Sequence, residues 1–147
     1  MENKKGENEI SFDYIRGLVD GEGTFTFSSD LKLKRKIPAF SIKMHVRDRE
    51  LLMKVRTAMG LRNSIYVYNH QGKDGSKRGP QAMLIVREFG QLKNIIIPFF
   101  HKKLIGNKRK QFEEWLEKIG NDPDVPESYK FLYKIYKAGF YDKNQKF

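Results

Sequence analysis

The chain is 147 residues long, has no cysteine, and carries 29 Lys and Arg against 18 Asp and Glu, a formal net charge of +11. That length suits one core rather than two, and the missing thiols exclude a disulfide scaffold, a thiolate metal site and a cysteine nucleophile. With 39% hydrophobic and 13% aromatic residues the chain can bury a core, while its basic excess favours a polyanionic partner, most often nucleic acid.

Residues 1–9, MENKKGENE, are polar throughout, so a flexible arm is expected ahead of a single domain over 10–147. No apolar run approaches the roughly 20 residues of a membrane helix; the longest, 95–100, contains Pro98. A soluble, intracellular protein with no membrane partner is expected. From 11 to 21 the pattern is helical, with Ser11 as N-cap and Phe12, Ile15 and Val19 on one face. Gly23 ends that helix, and TFTFSS alternates as a half-buried strand does, Phe25 and Phe27 inward and Thr24, Thr26 and Ser28 outward. A basic loop follows, with Lys32, Lys34, Arg35 and Lys36.

A second strand is expected at 38–46, with Phe40, Ile42, Met44 and Val46 on one face and Ser41, Lys43 and His45 on the other. Asp48 is suited to cap a helix over 49–59 whose apolar stripe is Leu51, Leu52, Val55 and Met59, closed by Gly60. Strands at 63–69 and 81–87 flank the loop HQGKDGSKRG, which holds Lys73, Lys77 and Arg78. Helices follow near 88–96, 107–119 and 127–139. The order is α-β-β-α-β-β-α with added carboxy-terminal helices, an α+β fold: a four-stranded antiparallel sheet backed by helices on one face.

The sheet's uncovered face would carry Thr26, Ser28, Ser41, Lys43, His45, Ser64, Tyr66, Tyr68, Gln81 and Arg87, flanked by the two basic loops. A twisted strand surface so equipped can lie in a DNA major groove and read base edges. An ordinary solvated sheet face is the plainer reading, and positive charge on both flanks favours the groove.

The densest chemistry lies in YIRGLVDGEGTFTF. Gly17 and Gly21 stack on one side of a helix at about 1 kcal/mol each against Ala, a cost that close approach by another helix would offset. Asp20 and Glu22 fall at the helix's carboxy-terminal end, where the macrodipole disfavours negative charge. Carboxylates held there suit an external hard cation such as Mg²⁺. A simple Asp-Gly turn into the strand explains the same residues, and spacing alone leaves both open.

Residues 15–23, IRGLVDGEG, resemble the LAGLIDADG motif of homing endonucleases, with Arg16 in place of a small residue and Glu22 in place of Asp. The RDRELLMKV helix and IIIPFFHKKLIGNKRKQFEEW are similar to the family too. The resemblance implies the family's αββαββα fold with a saddle-shaped sheet on double-stranded DNA. One motif per chain implies a homodimer joined through Gly17, Leu18 and Gly21, reading a near-palindromic target. It further implies metal-dependent phosphodiester hydrolysis leaving short 3′ overhangs, as in intron homing. Glu22 is then the first expected metal ligand with the Gly21 carbonyl beside it, and Asp20 is a second acidic candidate that capping or an interface hydrogen bond explains equally. Mg²⁺ is the expected cofactor, with Ca²⁺ as a non-catalytic substitute. Lys108 matches the family's basic residue behind the active site, although a phosphate contact or a solvated lysine suits it as well. His45 or Met44 falls where a supporting residue often lies.

Other chemistries fit less well. His45, His70 and His101 lack zinc-ligand spacing. PDVPESYK misses the nuclease pattern PD…(D/E)xK by one residue, and GNKRK lacks the first glycine of a phosphate loop. The alternative within the resemblance is a cleavage-inactive DNA-binding protein, or a maturase acting on intron RNA. A basic structural protein would have no need of Gly17, Gly21 and Glu22 together.

Overall fold

A computed structural model of the chain describes residues 9–71 and 77–147, so most of the expected amino-terminal arm lies outside the described residues. The first helix, α1 (Phe12–Glu22), is capped as expected: Ser11 Oγ accepts from the Tyr14 amide at 3.0 Å, and Ile15 and Val19 are buried. It runs directly into β1 (Gly23–Asp30). A Cβ at Gly23 would stand 2.6 Å from Val19 Cγ1 and 3.0 Å from the Val19 carbonyl oxygen, so only glycine permits this junction. A turn over 31–34, in which Asp30 Oδ1 accepts from the Lys32 and Leu33 amides at 3.1 and 3.2 Å, leads into β2 (Arg35–His45). Then come α2 (Arg49–Met59), closed by Gly60 at φ 77°, β3 (Ile65–Gln71) and β4 (Lys77–Val86). The four strands are antiparallel in the order β1-β2-β4-β3, which is the expected α+β architecture.

One sheet face is sealed. Phe40, Ile42, Ala82, Leu84 and Val86 are fully buried, in one core with Ile15 and Val19 of α1 and Leu52 and Val55 of α2. Phe25 lies with its ring centroid 5.0–5.8 Å from those of Phe40, Phe100, Phe112 and Trp115, spacings at which aromatic pairs add to simple burial. Trp115 Nε1 donates to the Thr26 carbonyl at 2.8 Å, fixing α5 (Asn107–Asn121) to the outer strand β1. No helix among the described residues is long and apolar enough to cross a membrane.

Several local expectations are corrected. Asp48 makes no side-chain cap; a 3₁₀ turn over Val46–Asp48 ends β2 one residue early, and His45 Nδ1 accepts from the Arg47 amide at 3.1 Å instead. Ser64 lies ahead of β3 rather than in it, and β4 begins at Lys77 rather than 81. The helix expected at 88–96 continues to residue 100 as α3 (Phe89–Gln91), a π turn (Leu92–Ile96) and α4 (Ile97–Phe100). Pro98 has no amide for the carbonyl four residues back; the wider π step, with Ile97 N–H bonded to the Leu92 carbonyl, precedes it and lets the helix resume with Pro98 in its first turn. The carboxy-terminal helices are α6 (Glu127–Lys137) and α7 (Phe140–Lys143), separated by Gly139 at φ 82°.

Lys36 also departs from its expected place in the basic loop. It lies on β2 one position out of step with the open face, and its Nζ meets Asp122 Oδ2 at 2.8 Å while its amide donates to the Asp124 carbonyl. The pair holds the Asp122 carboxyl below its ordinary value, through the Lys36 hydrogen bond first and the Asp124 amide second, and it raises Lys36. A lowered carboxyl contributes stability above the ordinary carboxylate range and loses it as pH falls through the lowered value. Asp122→Asn should therefore be less stable than the parent at pH 7, and the gap should close as pH falls from about 5 to about 2. Urea unfolding across that range checks it; a gap that stays constant would remove the ionised pair as its cause.

Candidate nucleic-acid interface

Strand alternation sets the composition of the uncovered face. Because Phe40, Ile42, Leu84 and Val86 point into the core, their neighbours point out. The register then brings Thr26 beside Ala39, Ser28 beside Ile37, Ser41 beside Ile85, Lys43 beside Met83 with Tyr66 on Met83's other side, and His45 beside Gln81 with Tyr68 on Gln81's other side. The expected residues Thr26, Ser28, Ser41, Lys43, His45, Tyr66, Tyr68 and Gln81 thus share one surface. Arg87, just past β4, reaches Ser28 Oγ with Nη1 at 3.4 Å at the end of the face farthest from α1. That end also holds a shallow depression lined by Asp30, Lys32 and Arg35, where Arg35 pairs with Asp30 at 3.6 Å. Lys32 and Lys34 are exposed in the turn, Lys34 at φ 50°. Lys73 lies outside the described residues, as do the side chains of Lys77 and Arg78.

Three members of this surface were not singled out from sequence, Ile37, Met83 and Ile85; Ala39 shares their parity but is fully buried. The signal for Met83 and Ile85 is parity with Gln81. It is hidden because residues 82–86, AMLIV, are apolar on both faces, so no period of two is visible.

At the opposite end, beside Gly23 and Ile42, α1 delivers its two carboxylates, and they fare differently. Asp20 Oδ1 accepts from the Gly106 amide at 3.2 Å and Oδ2 from the Ile105 amide at 3.3 Å. Gly106 is the N-cap residue of α5, so the charge that α1's carboxy terminus disfavours lies at another helix's amino terminus, where it is favoured. Glu22 is exposed and has no hydrogen bond or ion pair among the described residues. Lys108, half-buried in the first turn of α5, follows two residues after Gly106 and is thereby tied to the end of α1 through Asp20.

Gly17 and Gly21 are exposed, and a Cβ on either would meet nothing within 4 Å. Their helical cost is therefore not offset by packing among the described residues. Leu18 is half-buried against the core. Arg16 occupies a site of its own: Nε donates to the Phe99 carbonyl at 3.1 Å, Nη1 meets Asp13 at 3.2 Å and the guanidinium carbon stands 4.7 Å from the Phe99 ring centroid. Arg16 thus clamps α1 to the carboxy-terminal end of α4, and the small residue of the motif is not needed for the fold. Met44 faces the core side, partly buried, so of the two supporting candidates only His45 lies on the open face.

Among the described residues no group of three or more His, Cys, Asp or Glu is placed to hold a metal ion. A hard dication such as Mg²⁺ is commonly held by one or two carboxylates together with substrate phosphates and water. An exposed, unpaired Glu22 fits that mode of binding.

A family model described as LAGLIDADG endonuclease matches residues 15–119. A probable intron-encoded DNA endonuclease 1 of Mycosarcoma maydis is 40% identical over 55 residues, 37% of this chain and 20% of that protein. The chain thus matches only about a fifth of that relative's length. The homing endonuclease I-TnaI superposes with a TM-score of 0.55 at 26% identity, over 74% of this chain and 71% of that one. The I-LtrWI LAGLIDADG homing endonuclease, solved bound to its target DNA, gives 0.58 at 27% identity, over 74% of this chain and 36% of that one.

Proposed function

We propose that this chain, which belongs to the LAGLIDADG endonuclease family, cuts double-stranded DNA at a specific, near-palindromic site as a homodimer, leaving short 3′ overhangs. The observation that carries this reading is the contrast at the end of α1: Asp20 is bonded to two amides, while Glu22 is exposed and, among the described residues, unpaired beside a bare glycine face. An unpaired carboxylate at a helix's carboxy terminus works against stability, and a functional role is the reason to keep it there.

Mg²⁺ held at Glu22, with the Gly21 carbonyl as neighbour, would supply an activated water and charge relief at the phosphate. The rest falls to the chain's own side chains. Lys108, carried at the start of α5, offers positive charge to the phosphoryl oxygens. Asp20 acts as a positioning residue, because its two backbone bonds set where Lys108 begins. The sheet's open face enters the major groove, and Lys32, Lys34 and Arg35 at the turn follow the phosphates. Two copies related by a two-fold axis through Gly17 and Gly21 would place one Glu22 near each strand.

Base contacts and phosphate contacts separate experimentally. Lys43→Ala, on the open face beside Met83, should change which bases are preferred. Lys34→Ala, in the exposed turn, should weaken binding to all sequences and reduce the salt slope by about one. Affinities across a randomised duplex pool at several salt concentrations distinguish them; two mutants that weaken all sequences alike would overturn the assignment of the face. Sequence-specific binding by the parent without cutting would favour the cleavage-inactive or RNA-assisting alternative.

A further inference from the structure

We propose that Met83 and Ile85 are specificity-determining residues that read the 5-methyl group of thymine, an inference that rests on the DNA-cutting role proposed above. Both side chains lie on the open face, since the flanking Ala82, Leu84 and Val86 are fully buried in the core. Both are half-buried, held in the centre of the surface rather than at its rim. Met83 sits between Lys43 on β2 and Tyr66 on β3, and Ile85 sits beside Ser41. Tyr66 is 51% exposed and extends the same apolar surface.

An apolar patch in the middle of a polar reading surface constrains what can face it. In the major groove the donors and acceptors of guanine, cytosine and adenine need partners, and thymine alone among the four bases presents an apolar methyl. A methionine or isoleucine pressed onto a cytosine amino group or a guanine carbonyl would strip its water and return no hydrogen bond, which carries a penalty. Pressed onto a thymine methyl, the same side chain buries apolar area. Residues two apart on a strand are separated by about 6.8 Å, close to two base steps of about 3.4 Å each. The pair is therefore expected to require thymine at two positions separated by one base pair in each half-site, with Lys43 and Gln81 reading polar edges alongside.

The test uses the unaltered protein first. A preferred duplex is selected from a randomised pool, and each thymine in it is replaced in turn by uracil, which removes the methyl and leaves the hydrogen-bonding edge intact. Affinity should fall about three- to fivefold at each of two positions, the worth of about one buried methyl group, and hardly at all elsewhere. Met83→Ala and Ile85→Ala should each abolish the uracil effect at one position, and selection with the mutants should lose the thymine preference there. Specific binding that is indifferent to uracil at every thymine, or a selected site without thymine under the pair, would overturn this inference alone. Absence of any sequence-specific binding would overturn the nuclease reading and this inference with it.

Discussion

Glu22→Gln is expected to bind the target as tightly as the parent and to cut it at least about a thousandfold more slowly. Glu22 is the only carboxylate at the end of α1 left unpaired among the described residues, since both oxygens of Asp20 are taken by the Ile105 and Gly106 amides. Gln keeps the size and polarity of the side chain but removes the charge that would hold Mg²⁺ against the phosphate. Loss of transition-state charge stabilisation of this kind is worth about 4 kcal/mol, about three powers of ten in rate. The fold should not suffer. Glu22 is exposed, and removing a negative charge from a helix's carboxy terminus stabilises by about 0.3–1 kcal/mol. Lost cleavage with an equal or higher melting temperature is the expected signature. Cutting that persists within tenfold would move the metal site away from Glu22.

Gly17→Leu is expected to turn a dimer into a monomer and to abolish cleavage of a palindromic site with it. In the chain by itself a side chain at residue 17 has room, because a Cβ there meets nothing within 4 Å. Gly17→Ala should even stabilise the single chain by up to about 1 kcal/mol, the helix-propensity difference. Between two helices packed through glycine backbones there is no such room, and overpacking costs about 1–3 kcal/mol, a loss of about 5- to 150-fold in dimer affinity. Sedimentation equilibrium, read beside thermal unfolding of both variants, separates the two effects. A Gly17→Leu protein that dimerises as the parent does would place the interface elsewhere.

The sheet was legible where its two faces differ in chemistry and obscure where they do not. In β1, Thr and Ser alternate with Phe, so the strand and its outward face could both be read. In β4 the run AMLIV is apolar on both sides, and two members of the open face were hidden among core residues. The start of β4 was missed because Gly79 and Pro80 look like a loop. Pairing with β2 ends at Gln81, so Pro80 lies beyond the central ladder, opposite only Asn69 of β3, where its missing amide is tolerated. Lys36 was placed with its basic neighbours by composition, but strand parity turns it toward Asp122, a partner 86 residues away. The same limit applies to the acidic pair. Helix position marks Asp20 and Glu22 as equally unfavourable, and only the long-range contact with the start of α5 separates the tethered residue from the unpaired one.

The central claim is that the homodimer cuts DNA at a specific site with a divalent metal. Its most direct test is incubation of the unaltered protein with a library of palindromic duplexes in Mg²⁺ and, separately, in Ca²⁺, sequencing the ends of any product. Double-strand breaks with 3′ overhangs at one family of related sequences are expected in Mg²⁺, and binding without cutting of the same sequences in Ca²⁺. Sequence-specific binding in Mg²⁺ with no cleavage of any member would contradict it.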